Sequence, residues 1–315
     1  MERVDTSSSD GPVRFRVDVV CPLCRGPLRS RGDHIACPPC DRGDCPRRFE
    51  YVEGIPDLIV GGRFDDREDE SRVAYEEEST AYTVANYWIP HLQRLTRSVA
   101  GRPRVLAVGC GTGGEVDLLT RAGFDCVGID CGLRSNVWAQ REVKDALLLA
   151  NGMHLPFADQ TFDVAFCGCV FPHVGVVGDS FEVTQRFATD RQAVAAEMTR
   201  VVKAGGHIIV TSPNRHFPLD LFHGRESGNY KIRPNWPGDR FLLSVGDYAE
   251  LFLAAGCRGV ETLPISGYWG FINSKHKLNG FVLGAPIRLL FWLADRLRFL
   301  RPSPLAPWIA VLAKR

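Results

Sequence analysis

The feature that most restricts how this chain folds is an apolar run, Arg104–Val108, passing directly into Gly109-Cys110-Gly111-Thr112-Gly113-Gly114. Glycine tolerates positive φ and lets a ligand approach the backbone, so the stretch reads as strand, tight turn and helix start. The alternation then repeats. The pattern predicts a helix over Glu115–Ala122 closed by Gly123, and strands over Asp125–Ile129 and Phe162–Cys169. A helix over Arg191–Val202 ends at Gly205-Gly206, and a strand follows over His207–Thr211. Leu243–Ala255 reads as a helix with Ser244 as N-cap, and Val260–Leu263 and Trp308–Ala313 as strands. Strands separated by helices indicate an α/β fold with a doubly wound, mostly parallel sheet. Asp130 falls at the end of the second strand, 21 residues after Gly109, where a carboxylate can accept from both hydroxyls of a ribose. The loop alone also satisfies the dinucleotide-binding pattern, so loop and acid point to a nucleoside without saying which.

Cysteine usage sets a second constraint. Five of the 11 cysteines, Cys21, Cys24, Cys37, Cys40 and Cys45, fall within 25 residues. Met1–Pro12 is polar and lacks the apolar centre of a signal peptide, and no stretch approaches the ~20 apolar residues of a membrane span. The chain therefore reads as cytoplasmic, where clustered thiols bind metal more often than they pair. Cys21-x2-Cys24, twelve residues, then Cys37-x2-Cys40 is the spacing of two knuckles around a structural Zn²⁺, with a hairpin around Arg31-Gly32-Asp33. Cys45 is an alternative fourth ligand. Four thiolates fill the coordination sphere, so such a metal stabilises and does not catalyse.

Val20-Cys21-Pro22-Leu23-Cys24, Ile35-Ala36-Cys37-Pro38-Pro39-Cys40 and Gly54-Ile55-Pro56-Asp57-Leu58 together resemble the zinc-ribbon domain related to the small activator protein of tRNA methyltransferases. Further on, Asn151-Gly152-Met153-His154-Leu155-Pro156-Phe157-Ala158-Asp159-Gln160-Thr161-Phe162-Asp163-Val164 resembles a signature of class I S-adenosylmethionine-dependent methyltransferases, of the ubiquinone/menaquinone-biosynthesis-like kind. Glu197-Met198 through Val201-Val202-Lys203-Ala204-Gly205-Gly206-His207 resembles the segment before that family's fifth strand. These resemblances imply a seven-stranded sheet whose last strand, Trp308–Arg315, is antiparallel, beside a small N-terminal zinc ribbon. They divide the chain into a disordered tail (1–16), the ribbon (17–60), a helical linker or cap (61–100) and the S-adenosylmethionine-binding domain (101–315), with insertions at 212–242 and 265–307. They also imply that Gly109, Gly111 and Gly113 line the donor, Asp130 binds its ribose, and Asn151, Gly152 and Met153 meet the adenine. Cys167 and Gly168 would lie near the methionine moiety. Ala107 stands where the family has an acid, which leaves the donor's ammonium group without an assigned partner; Glu115 is one substitute.

Methyl transfer from a sulfonium needs orientation more than a protein nucleophile. A hydroxyl acceptor would need a base, and His173 in Val170-Phe171-Pro172-His173-Val174 is placed for it; ordering the loop is its other reading. The insertions carry His216, His223, Tyr230, Trp236, Tyr268, Trp269, Phe271 and His276, suited to capping an acceptor. With a formal net charge of +1, the chain has no global field for nucleic acid, so a small-molecule acceptor (a natural product, a sugar or a lipid-linked compound) ranks ahead of RNA, and ahead of a non-catalytic scaffold. Pro286–Leu300 reads as an amphipathic helix with Pro286 in its first turn. It packs on the domain in one reading; in the other, segment 286–301 lies on a membrane surface.

Overall fold

The computed structural model describes residues 11–38, 45–46, 48–64, 70–178, 180–220, 233–236, 238–268 and 278–315. Five short strands open the chain: β1 (Gly11–Pro12), β2 (Arg29–Arg31), β3 (His34–Ala36), β4 (Arg48–Val52) and β5 (Ile55–Asp57). Helix α1 (Glu70–Thr83) runs through a π-helical turn, Val84–Trp88, into α2 (Ile89–Leu95). The alternating part comprises β6 (Arg104–Val108), α3 (Gly114–Arg121), β7 (Asp125–Asp130), β8 (Leu147–Leu149), β9 (Phe162–Gly168), α4 (Phe187–Val201) and β10 (Val202–Pro213). A two-stranded ribbon, β11 (Leu219–Asp220) and β12 (Arg233–Pro234), precedes α5 (Val245–Ala254), β13 (Gly259–Thr262), α6 (Leu278–Arg296) and β14 (Trp308–Lys314).

One sheet organises the molecule, in the order β1-β2-β3-β4-β5-β8-β7-β6-β9-β10-β14-β13. Its last seven strands form the doubly wound part. β8, β7, β6, β9 and β10 pair in parallel, while β14 lies antiparallel to both β10 and β13. The sheet is larger than the seven strands expected, because the five short N-terminal strands, whose connections carry the clustered cysteines, join its edge: Asp57 pairs with Leu149, and Leu58 N–H donates to Leu149 O at 2.8 Å. The reason is physical. A ribbon of some forty residues buries little core of its own, and β8 offers it an edge that would otherwise be exposed. The two share one core, in which Cys21, Ile35, Phe49 and Leu58 pack with Leu106, Phe157 and Met198.

Three further expectations are corrected. Residues 11–16, assigned to a disordered tail, are packed: Val13 is buried, and Arg16 reaches Thr120 Oγ1 at 3.0 Å and Asp145 at 3.2 Å. Pro286 is interior to α6, which begins at Leu278, rather than in its first turn. β10 starts at Val202, ahead of Gly205-Gly206, and absorbs the glycines as a bulge with Gly205 at φ 80°. On α5, Ser244 forms a full capping box with Asp247, as the N-cap position predicts.

Candidate functional site

In the order β7-β6-β9, strands succeeding β6 lie on either side of it, so the crevice of this sheet opens at the carboxyl ends of β6 and β9. The glycine turn leaves β6 there. Gly109, Gly111 and Gly113 all adopt positive φ (74°, 51° and 78°). At Gly109 a Cβ would overlap Val170, just beyond β9, so the loops after β6 and β9 touch only because that position is bare.

Asp130 ties the turn to the next loop. Its two carboxylate oxygens accept Gly132 N–H at 2.7 Å and Gly111 N–H at 2.8 Å. From the other side Trp138 Nε1 donates to Gly111 O at 2.8 Å and Arg141 Nε to Thr112 O at 2.6 Å. The sequence reading missed the third clamp. Helix α1 brings Glu76 onto the turn, where it accepts Thr112 N–H at 3.0 Å and pairs with Arg134 at 3.1 Å; its neighbour Glu77 pairs with Arg141. The available signal was the run Glu76-Glu77-Glu78 in an otherwise amphipathic helix, which is indistinguishable from a solvated face without the fold.

Three carboxylates thus converge on the turn. Burial, with Glu76 and Asp130 close by, pushes Glu115 up to about 8. The buried Thr112 hydroxyl has no hydrogen-bond partner among the described residues. A bare cradle, an unsatisfied hydroxyl and clustered acids suit a ligand with hydroxyls and a positive charge.

The other expected residues have separate surroundings. Asn151 Oδ1 accepts Met153 N–H at 2.9 Å, and its amide donates to Gly62 O at 3.3 Å. Met153 lines a cavity of about 310 Å³ shared with Pro22, Leu23, Arg25, His154 and Glu197, so this loop lies directly against the ribbon. Gly152 packs near Val108 and Val194. The Cys167 side chain is in the core, where burial raises its thiol, so only its backbone is left to face the crevice. His173 closes the short 3₁₀ turn Phe171–His173, its ring edge-on to Phe64 at 5.8 Å and Phe241 at 5.4 Å. Tyr268 is half-buried, with its hydroxyl against Gly168. Trp236 is exposed. His223, Tyr230, Trp269, Phe271 and His276 lie outside the described residues.

A second missed residue is Arg191 of α4, buried at 4% exposure. Its guanidinium donates to Pro172 O (3.1 Å), Val174 O (3.3 Å), Arg240 O (2.8 Å) and Phe241 O (2.8 Å), binding the His173 turn to the 212–242 insertion. Arg191→Met leaves these carbonyls short of donors and is expected to cost about 3 kcal/mol, since each unmade buried bond costs ~1–3 kcal/mol and water recovers some. Chemical denaturation measures the loss; a change under 1 kcal/mol contradicts this role.

In the ribbon, Cys21, Cys24, Cys37 and Cys45 place their sulfurs within 4.8 Å of one another. The nearest pairs are Cys24–Cys37 at 3.3 Å and Cys21–Cys45 at 3.6 Å. Cys40, the expected fourth ligand, lies outside the described residues. Burial and the neighbouring thiols raise the Cys37 thiol far above its ordinary value, a penalty that a divalent cation reverses.

Known proteins resemble this chain over the alternating part. The methyltransferase-domain family matches residues 106–210, which span β6 through most of β10. A probable S-adenosylmethionine-dependent methyltransferase of Mycolicibacterium smegmatis is 26% identical over 215 residues, covering 64% of this chain and 72% of the relative. The demethylmenaquinone methyltransferase of Thermobifida fusca is 29% identical over 153 residues, 47% of this chain and 58% of that one. Among solved structures, a methyltransferase of Archaeoglobus fulgidus superposes with a TM-score of 0.46 at 17% identity, over 78% of this chain and 100% of its own. With its glycine turn, strand-end acid and matching domain, this chain is an S-adenosylmethionine-dependent methyltransferase with a class I catalytic domain.

Proposed function

We propose that the enzyme methylates a small-molecule acceptor, a natural product, sugar or lipid-linked compound, by in-line displacement at the mouth between β6 and β9. The donor half of this reading is supported by the convergence of Glu76, Glu115 and Asp130 on the glycine turn, and the acceptor class by a formal net charge of only +1. Bound S-adenosylmethionine supplies an activated methyl group on a sulfonium. Asp130 would accept from the ribose hydroxyls, and the bare backbone at Gly109, Gly111 and Gly113 would allow close approach. Glu76 and Glu115 would balance the donor's positive end, the task left open by Ala107. Asn151 would hold the adenine side through its carbonyl, with Gly152 and Met153 beside it. His173 would take the proton from an acceptor hydroxyl, fixed by Phe64, Phe241 and the Arg191 clamp. In the ribbon, a structural Zn²⁺ on Cys21, Cys24, Cys37 and Cys45 accounts for four thiols in one small volume. Incubation of the enzyme and labelled donor with fractionated small-molecule and RNA extracts tests the acceptor class. Label in RNA alone removes the small-molecule reading.

A pH effect follows from Glu115. Its carboxyl is held protonated up to about pH 8 in the folded chain, against an ordinary value of 4.5. Across that window the folded state binds more protons than the unfolded, so stability falls as pH rises. A cationic donor reverses the bias by favouring the ionised form. Calorimetric titration with S-adenosylmethionine at pH 7, in two buffers of different ionisation enthalpy, is expected to show release of about one proton. For Glu115→Gln none is expected. Equal proton release from both proteins removes Glu115 from the donor site.

A further inference from the structure

The last third of α6 and the turn after it present a surface that neither the fold nor the methyl-transfer site uses. Phe291 and Ala294 are buried (4% and 2% exposed) and fix the inward face. Leu289 (56% exposed), Trp292 (51%) and Arg296 recur at three- and four-residue spacing and so share the outward face, with Arg296 lying over the Trp292 ring at 5.4 Å. Beyond the helix, Phe299 is 71% exposed and Leu305 59%. A run of large apolar side chains left in water is a cost that a monomeric domain normally avoids.

Charge identifies the occupant. The only acid between residues 286 and 305 is Asp295, and it is turned inward, accepting Ile265 N–H at 2.9 Å and Ser266 N–H at 3.1 Å. Arg288, Arg296 and Arg298 remain exposed among the apolar groups, so the surface is uniformly positive. A second copy docking through the same patch would bring like charges together. Single-stranded nucleic acid would use the arginines and rings but leave Leu289 and Leu305 in water. An interface with cationic heads at its level and apolar side chains below satisfies both halves of the patch. We infer that the α6 face docks on a bilayer surface containing anionic lipid. The same Asp295 anchors Ile265-Ser266, just before Tyr268, whose hydroxyl covers Gly168 at the end of β9, so the docking helix is tied to the loop beside that strand end.

The test is co-sedimentation of the full chain with phosphatidylcholine vesicles, with and without phosphatidylglycerol. The protein is expected to pellet with the anionic vesicles and to be released by salt. Arg296→Gln with Arg298→Gln is expected to lower partitioning about thirtyfold, each arginine contributing roughly 1 kcal/mol near such a surface. Trp292→Ser with Phe299→Ser should lower it by tenfold or more through lost apolar burial. All four positions are exposed, so unchanged thermal melting and donor affinity verify that both variants fold. The inference is overturned by no pelleting with anionic vesicles, or by pelleting that neither double variant weakens. It is equally overturned if Trp292→Ser with Phe299→Ser instead abolishes self-association in the absence of lipid.

Discussion

Asp130→Ala is expected to weaken S-adenosylmethionine binding by roughly two to three orders of magnitude, a loss of about 3–4 kcal/mol. Two contributions add. The carboxylate now accepts Gly111 N–H and Gly132 N–H, at 2.8 and 2.7 Å, and these charge-assisted bonds hold the turn and the next loop in register. In the proposed donor complex the carboxylate would also accept from ribose hydroxyls, and a hydrogen bond to a charged group contributes ~1.5–3 kcal/mol. Asp130→Asn keeps one acceptor oxygen and should fall between wild type and alanine. Isothermal titration reads the effect directly. A change below threefold in the alanine variant would falsify the placement of the nucleoside at this acid.

Loss of the metal should have the second large effect. Cys45→Ser is expected to abolish stoichiometric zinc after purification without chelator, and to unfold the ribbon, whereas Cys40→Ser should retain the metal. Structural zinc sites contribute on the order of 10 kcal/mol to folding, and one missing thiolate forfeits a large part of it. The assignment rests on Cys45, whose sulfur joins those of Cys21, Cys24 and Cys37 within 4.8 Å. Metal analysis with melting curves decides it, and equal zinc content in the two variants sinks the choice of Cys45. Because Leu58 and Asp57 pair with β8, and Leu147 of β8 touches the Gly113 position of the turn, the Cys45 variant should also bind donor more weakly.

The strands with strong apolar runs and the helices with explicit stop signals were legible in the chain. Gly123 and Ser244 carried those boundaries, and the order of motifs from Arg104 onward carried the sheet. What was not legible depends on partners distant in sequence. β8 is three leucines, too short to show any period, and exists because β7 and β5 flank it. Residues 11–16 look like a polar tail until Arg16 finds Thr120 and Asp145. Likewise Glu76 and Arg191 are charged residues on helices, and only tertiary packing shows that one grips the glycine turn and the other four loop carbonyls. The glycine turn and Asp130 were visible because their roles are local; Glu76 was hidden because its role is not.

The π-helical turn at Val84–Trp88 has a consequence for how the N-terminal half can vary. A turn with one surplus residue rotates everything before it by ~100° relative to everything after it. That offset is what allows Glu76 to meet Thr112 while Trp88 stacks on Phe166 at the other end of the same rod. The stretch between them behaves as a gear of fixed tooth count. Exchanging a side chain on its outer surface leaves both engagements in place, whereas gaining or losing a single position would disengage one end, so insertions are accommodated only in the turns outside the rod.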